Sequence, residues 1–390
     1  MTKTQSIETS VVQTFIEQFN MKPEWLIRSP GRVNIIGEHT DYNDGFVLPM
    51  AIDRAVWIAL RSRRDTIVRL YSLDFGKVIQ IDVSDLSRGS DSFTEYIKGI
   101  AWGLQQKGYS LTGFEGVVGG NVPIGAGLSS SAALELAIAK AFSETSSFEW
   151  QAVEMAKLAQ YIENEWVGVQ CGIMDQLISA AGKKGQAVLI DCRTLETKAT
   201  TMPEHVTIVV MDTGTRRGLV DGDYNERRQQ CEQVAQFFGV KALRDVALDQ
   251  LSSETALNPL IYRRARHVIS ENERTLAAFE AIQSNQAEKL GKLMNASHDS
   301  LRDDYEVSSS ALDAIVEIAR EQASCYGARM TGAGFGGCAV ALVQAEQVNQ
   351  FVETVSDHYE LRTNNSPQLY ICQPENGADT YPIEEIYSTL

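Results

Sequence analysis

No apolar run in the 390-residue chain reaches the ~18 residues that a membrane span needs. The polar opening MTKTQSIETSVVQTF has neither the basic start nor the continuous apolar stretch of a secretory signal, so a cytoplasmic protein with no membrane partner is expected. Paired cysteines are missing as well. Cys171, Cys192, Cys231, Cys325, Cys338 and Cys372 stand singly with no C-x-x-C spacing, which argues against disulfides and against a zinc site. Positive charge is scarce: 35 Lys and Arg face 51 Asp and Glu, and a net charge of −16 repels nucleic-acid phosphates and anionic lipid. The basic clusters Arg61, Arg63, Arg64 and Arg263, Arg264, Arg266 read as solvated faces of a strand and a helix. Any anion bound here must be captured locally. Repeats and low-complexity linkers are absent, and a monomer is expected.

What is present suffices for two cores, because one hydrophobic core stops growing near ~250–300 residues. With 44% hydrophobic and 22% charged residues the composition is that of a globular protein. Period-two patterns predict strands at 33–36, 46–60, 66–73, 114–121 and 186–192. Helical periodicity covers 95–107, 131–145 and 149–166, the last opened by Ser146-x-x-Glu149, a capping-box pattern. After TMPEH (201–205) a strand at 206–212 leads into helices at 223–238, 260–283, 285–300 and 308–323, with Gly239 in the C′ position of the first. Residues 328–343 read as strand, glycine loop, strand. The expectation is an α+β protein divided near residue 200 into units 1–200 and 201–390.

The stretch PIGAGLSSSAAL (123–134) follows a strand and opens a helix. That order aims free backbone N–H groups and the positive end of the helix dipole at the loop, an anion site without the lysine of a P-loop. Its members are Pro123, Gly125, Ala126, Gly127, Leu128, Ser129, Ser130, Ser131 and Ala132. The serines can cap the helix, and one hydroxyl can also ligate magnesium; plain N-capping would need only one of them. A dinucleotide fingerprint fails here, since Ser130 stands where a third glycine belongs. A full G-x-G-x-x-G occurs at Gly332, Gly334 and Gly337, but it precedes a strand rather than a helix, and so reads as a hairpin loop that lets backbone approach a ligand. Phe93, Tyr96 and Trp102 lie near a helix that could border a nucleotide base, but aromatics at helical spacing also build cores, and none is assigned.

A second polar stretch, GRVNIIGEHTDYNDGFVLP (31–49), sets Arg32, Asn34, Glu38, His39, Asp41, Tyr42, Asn43 and Asp44 among short apolar runs, as a strand entering a structured turn would. Carboxylates, an amide and an imidazole so close together suit a guest with many hydroxyls, such as a sugar. As a metal triad, Glu38-His39-x-Asp41 lacks a second cluster.

Three segments, GRVNIIGEHTDYNDGFVLPMAI (31–52), PIGAGLSSSAALELA (123–137) and TGAGFGGCAVAL (331–342), resemble the three motifs of the GHMP small-molecule kinases, the first in its galactokinase form. ENEWVGVQCGIMDQ (163–176) and GLVDGDYNERRQQCE (218–232) are similar to further galactokinase segments, and the likeness runs from about residue 22 to the carboxyl end. The resemblance implies a two-domain fold, an N-terminal ribosomal-protein-S5-domain-2-like α/β domain and a C-terminal ferredoxin-like α+β domain, with the active site in the cleft between them. It implies the conversion of α-D-galactose and ATP to galactose 1-phosphate and ADP with Mg²⁺. By the same likeness Asp175 is the base beside Arg32, and Arg32, Glu38, His39, Asp41, Gly172, Asp175 and Tyr224 line the galactose pocket. Ser131, among competing neighbours Ser129 and Ser130, and Glu163 hold the metal. The loop 129–133 is intact, which favours an enzyme over a sugar-sensing regulator. A kinase for N-acetylgalactosamine or arabinose stays open as an alternative. A mevalonate or homoserine kinase would share the glycine motifs but not GEHTDYN.

Overall fold

Helix propensity and a nearly all-round apolar surface put SAALELAIAKAF at the centre of the first half of the molecule, since a helix apolar on every side must be buried on every side. The computed structural model describes residues 6–125, 127–215 and 220–387. Its first half contains α1 (Ile7–Phe19), β1 (Trp25–Asn34), β2 (Phe46–Val47), β3 (Pro49–Ser62), β4 (Ile67–Ser72), β5 (Lys77–Asp82), α2 (Ser92–Gln106), β6 (Phe114–Gly120), α3 (Ser130–Ser146), α4 (Ala152–Ile162), α5 (Met174–Ala181), β7 (Gln186–Asp191) and β8 (Thr197–Thr201). The second half contains β9 (Val206–Asp212), α6 (Val220–Phe237), α7 (Leu248–Ser253), α8 (Pro259–Gln283), α9 (Ala287–Asp303), α10 (Ser310–Arg320), β10 (Cys325–Thr331), β11 (Cys338–Gln344), α11 (Val348–Thr363), β12 (Gln368–Cys372), β13 (Asp379–Tyr381) and α12 (Ile383–Tyr387).

The strands form sheets of order β13-β1-β3-β6-β4-β5, β10-β11-β9-β12 and β2-β7-β8. All pairings are antiparallel except β4 with β6. Alternate side chains of β1 serve two cores: Ile27 and Val33 join the α3 side, while Leu26 packs with Val12 and Phe15 of α1. A separate core under the second sheet gathers Val209, Met211, Ile315, Met330 and Phe351.

Local patterning misplaced several elements. β1 begins at Trp25 rather than at 33, because Pro30 and Gly31 and a register shift between Pro30 and Arg32 interrupt the alternation. The expected capping box is absent: Ser146 ends α3 and its hydroxyl accepts from the Thr112 amide at 2.9 Å, while α4 starts at Ala152 behind Gln151. The expected 149–166 helix closes in a π-helical turn at Glu163–Val167. β13 pairs with β1, so residues 379–381 return to the first sheet.

Polar ties, buried or partly buried, join the halves. Arg244 grips Asp191 with two bonds of 2.5 and 2.7 Å. Glu271, fully buried on α8, accepts from the amides of Gly37 and Glu38 at 3.1 and 3.3 Å and pairs with Arg274 at 2.7 Å. Burial opposes its charge, but Arg274, His267 and Arg329 hold the carboxyl down at about 2. Arg329 reaches back to the carbonyls of Asn34 and Ile35. These contacts fix the turn that follows β1.

Candidate active site

A cleft of about 310 Å³ lies between the end of β1, the N-terminus of α3, the segment 163–175, α6 and the 332–337 loop. Arg32, Glu38, His39, Asp41, Gly125, Gly127, Ser129 to Ser131, Glu163, Gly172, Asp175 and Tyr224 all line it. The residues named from the first motif and from the 163–176 segment thus meet in one place, though Arg32 and Asp175 are far apart along the chain. Pro123 lies beyond that wall, against a neighbouring cavity, and Leu128 is buried in the core beneath the loop. Ala126 lies outside the described residues.

Arg32 and Asp175 form a bidentate pair, Nε to Oδ1 at 2.7 Å and Nη2 to Oδ2 at 2.6 Å. Burial disfavours the Arg32 cation, but the charge and hydrogen bonds of Asp175 outweigh it and raise its pKa. Nη1 of Arg32 donates to the Gly127 carbonyl, and the Ser129 hydroxyl donates to Oδ2 of Asp175. This corrects one expectation: Ser129 is the N-cap residue of α3 in a left-handed conformation, yet its side chain does not cap the helix and instead holds Asp175. The loop bends through Gly125 (φ 70°) and Gly127 (φ 72°), where a left-handed backbone favours glycine.

Glu38 is buried and accepts three hydrogen bonds. Asn34 donates to Oε2 at 2.6 Å, and the Thr331 hydroxyl and Gly332 amide donate to Oε1 at 2.8 and 2.6 Å. The third glycine motif is the β10–β11 hairpin loop and brings its backbone against both Glu38 and the 127 turn. Asp41 faces the cleft with its carboxyl pushed up to about 7, by burial first and then by the charge of Asp175. Gly172 is placed directly on it: a Cβ there would lie 1.8 Å from Asp41 Oδ2. His39 is buried and held neutral, its pKa lowered to about 3 chiefly by burial. The Tyr224 ring lies tilted against His39 and edge-on to Tyr42, with ring centroids 5.6 and 5.1 Å apart. Of the remaining polar candidates, Asn43 donates to the His39 carbonyl, and Asp44 turns to Arg193 and Lys241.

Glu163 sits at the π-helical turn, buried, and accepts from Gln176 at 2.6 Å. Its pKa is raised by burial and then by Asp175, and the Ser131 hydroxyl counters this. A hydroxyl beside a carboxylate that pairs with no cation among the described residues is a donor set that fits a hard divalent ion, which would keep Glu163 ionised. Among the described residues no three His, Cys, Asp or Glu side chains form a metal-holding group, so phosphates and water would complete the shell.

Sequence reasoning missed the far side of the loop. A second cavity of about 260 Å³ shares Ser130 and Ser131 with the cleft and is walled by Phe75, Phe93, Tyr96, Val122, Ile124 and Leu134. Phe75 and Phe93 have centroids 5.1 Å apart, and Ile124 is 66% exposed, so an apolar slot opens beside the loop. Trp102 faces elsewhere, stacked on Tyr161. Only the run of aromatics at 93–102 pointed here.

Three family models match the chain: the galactokinase galactose-binding signature over residues 13–62, the GHMP kinase N-terminal domain over 95–183 and the GHMP kinase C-terminal domain over 278–361. The structure of galactokinase from Lactococcus lactis, complexed with galactose, superposes with a TM-score of 0.91 at 35% identity, over 96% of this chain and 100% of that chain. The chain belongs to the galactokinase family of GHMP kinases. Its fold is accordingly the two-domain GHMP fold of mixed α/β content, and its activity is the ATP-dependent phosphorylation of galactose. The family works on small-molecule substrates with a nucleotide and a divalent metal. Mevalonate kinase from Methanococcus jannaschii (TM-score 0.62, 21% identity, 90% of this chain and 98% of that chain) and homoserine kinase from Cytophaga hutchinsonii (0.62, 16%, 93% and 98%) share the fold.

Proposed function

We propose that this kinase transfers the γ-phosphoryl group of ATP to the C1 hydroxyl of α-D-galactose, with Asp175 as proton acceptor. The observation that carries this reading is the bidentate Arg32–Asp175 pair, which stands between the sugar-facing groups Glu38, His39, Asp41 and Tyr224 and the 125–131 loop. In the reaction O1 attacks the γ-phosphorus, the bond to the β,γ-bridging oxygen breaks, ADP leaves, and the O1 proton passes to an Asp175 oxygen. A carboxylate is a weak base for an alcohol, so the proton moves late, once the forming P–O bond has acidified it. Arg32 orients the carboxylate and adds positive charge near the transferring group. The work is mostly positioning and charge neutralisation, as a loose phosphoryl-transfer transition state requires.

Ser131 and Glu163 would hold Mg²⁺, which supplies neutralisation of phosphate charge. The amides at the start of α3 would cradle the phosphates, and the Phe75–Phe93 slot would take the adenine ring. We further place the enzyme in the cytoplasm, as a monomer, with its units divided near residue 200. Among the described residues no helix is long and apolar enough to cross a membrane. Light scattering of the purified chain tests the monomer.

ADP release measured in parallel with galactose, N-acetylgalactosamine, glucose, arabinose and mevalonate tests the whole reading. Turnover is expected with galactose and not with mevalonate. No turnover with galactose, or a better rate with another member of the panel, overturns it.

A further inference from the structure

His39 brings to the sugar side of the cleft a ring nitrogen, Nε2, that is buried and has no hydrogen-bond partner among the described residues. Its other nitrogen does not end in solvent. Nδ1 lies 2.8 Å from Tyr42 Oη, Tyr42 Oη lies 2.8 Å from Tyr305 Oη, and Tyr305 Oη lies 3.2 Å from Cys231 Sγ. The chain of contacts runs from the 39–42 turn past the end of α9 into α6, and Tyr305 and Cys231 are fully buried. The His39 and Tyr305 rings also touch, with centroids 4.8 Å apart.

We propose that Tyr42, Tyr305 and Cys231 are positioning residues that fix the tautomer of His39, so that Nε2 carries the ring proton and donates it to a galactose hydroxyl oxygen. The inference deepens the sugar-pocket assignment made above and rests on it.

A buried neutral imidazole has one proton for two nitrogens, and the nitrogen that keeps it is set by the hydrogen bond at the other. Each hydroxyl in the chain donates once, so only two orders exist. In one, the Cys231 thiol donates to Tyr305, Tyr305 to Tyr42, and Tyr42 to Nδ1. In the other, Nδ1–H donates to Tyr42, Tyr42 to Tyr305, and Tyr305 to sulfur. The first order ends on an imidazole nitrogen, a good acceptor, and the second ends on a sulfur, a weak one. The first is therefore the stable arrangement.

The pocket also needs this donor. A sugar hydroxyl both gives and accepts, and the neighbouring groups are unevenly supplied. Arg32 is taken up by Asp175 and the Gly127 carbonyl, while Asp41 faces the cleft as a carboxyl. With Asp41 lining the same cleft, a protonated Nε2 lets the pocket both donate to and accept from sugar hydroxyls. An unprotonated Nε2 would crowd acceptors together and leave sugar oxygens without a partner, which costs affinity and specificity.

Nitrogen-15 NMR of the purified kinase, labelled at histidine and assigned with His39→Asn, reads the tautomer directly. A protonated Nε2 and a bare Nδ1 are expected, and a protonated Nδ1 in the wild type overturns the proposal without any variant having to fold. In Tyr42→Phe the His39 signals should shift toward a mixture of tautomers. The galactose KM should then rise about tenfold while kcat and the ATP KM stay within about threefold. Tyr305→Phe should follow with a smaller rise, and Cys231→Ser, which keeps a donor, should behave as wild type. A purely structural role predicts a lower melting temperature with the wild-type tautomer retained, and that result also refutes the relay. Added galactose should move the Nε2 signal. A protonated Nε2 that ignores galactose overturns the pocket assignment and leaves the tautomer relay standing.

Discussion

Replacing Asp175 by asparagine keeps the shape of the side chain and removes its charge, which separates a proton acceptor from a brace. In the folded protein the carboxylate receives two bonds from Arg32 and one from Ser129. Asparagine can accept on one oxygen only, and its amide would point N–H groups at a guanidinium. The Arg32 side chain is 6% exposed, so its charge would stand nearly unpaired, and breaking a buried pair costs about 3–5 kcal/mol. Asp175 itself is 29% exposed and the Gly127 carbonyl still accepts from Arg32, which brings the expected loss nearer to ~2 kcal/mol. For a chain of this size that is a fall in Tm of several degrees, with the protein still folded at room temperature. The catalytic loss is separate and larger. General-base assistance is worth about 10²–10⁴ in rate, or ~3–5 kcal/mol of barrier. Saturating ADP-release assays should therefore show kcat for Asp175→Asn reduced at least about 100-fold, alongside a modest Tm shift by scanning calorimetry. If kcat stays within about threefold of wild type while Tm falls, Asp175 only braces the loop and the proposed base is wrong.

Other consequences are as direct. Asp41 has its pKa raised to about 7, so the folded protein keeps a proton that the unfolded chain releases near 3.8. Its contribution to stability is greatest at low pH and is lost as pH rises toward 7, whereas kcat/KM for galactose should rise through an apparent pKa near 7 as the carboxylate forms. A flat profile between about pH 6 and about pH 8, or one unaltered in Asp41→Asn, contradicts this. Gly172→Ala should displace Asp41 and raise the galactose KM about tenfold or more without touching the ATP KM; equal effects on both substrates would count against the assignment. Phe93→Ala should raise the ATP KM by roughly 5- to 100-fold, the usual range for a lost aromatic–base stack, and an unchanged value removes adenine from that slot.

The chemistry of the cleft was legible wherever it is local in the chain. Arg32, Glu38, His39 and Asp41 fall within one strand end and one turn, and the 123–131 loop lies between a strand and a helix, so pattern and spacing found them. What pattern could not supply is the pairing. Any of the serines 129–131 can cap the helix on local signals, yet the Ser129 hydroxyl goes to Asp175, because the α5 segment is brought close only in the folded chain. Ser146 and Glu149 match a capping box, but α3 keeps Ser146 as its final residue. The alternation of β1 was hidden by Pro30 and Gly31, which the sheet accommodates at a bulge. The apolar slot escaped for a similar reason: Phe75, Phe93 and Ile124 come from three separate segments, and each alone is an ordinary apolar residue.

The turn that presents Glu38, His39 and Asp41 belongs to the first half of the chain, but what holds it does not. Glu271 of α8 takes the amides of Gly37 and Glu38, Arg329 of β10 takes the carbonyls of Asn34 and Ile35, and Thr331 and Gly332 donate to Oε1 of Glu38 itself. A left-handed backbone at His39 (φ 62°) is strained for a residue with a side chain, and it persists because these contacts over-determine the turn. The second half therefore does more than close the cleft. It supplies the carboxylate and guanidinium that hold the proposed sugar-facing groups in place, which is why neither half would present this pocket on its own.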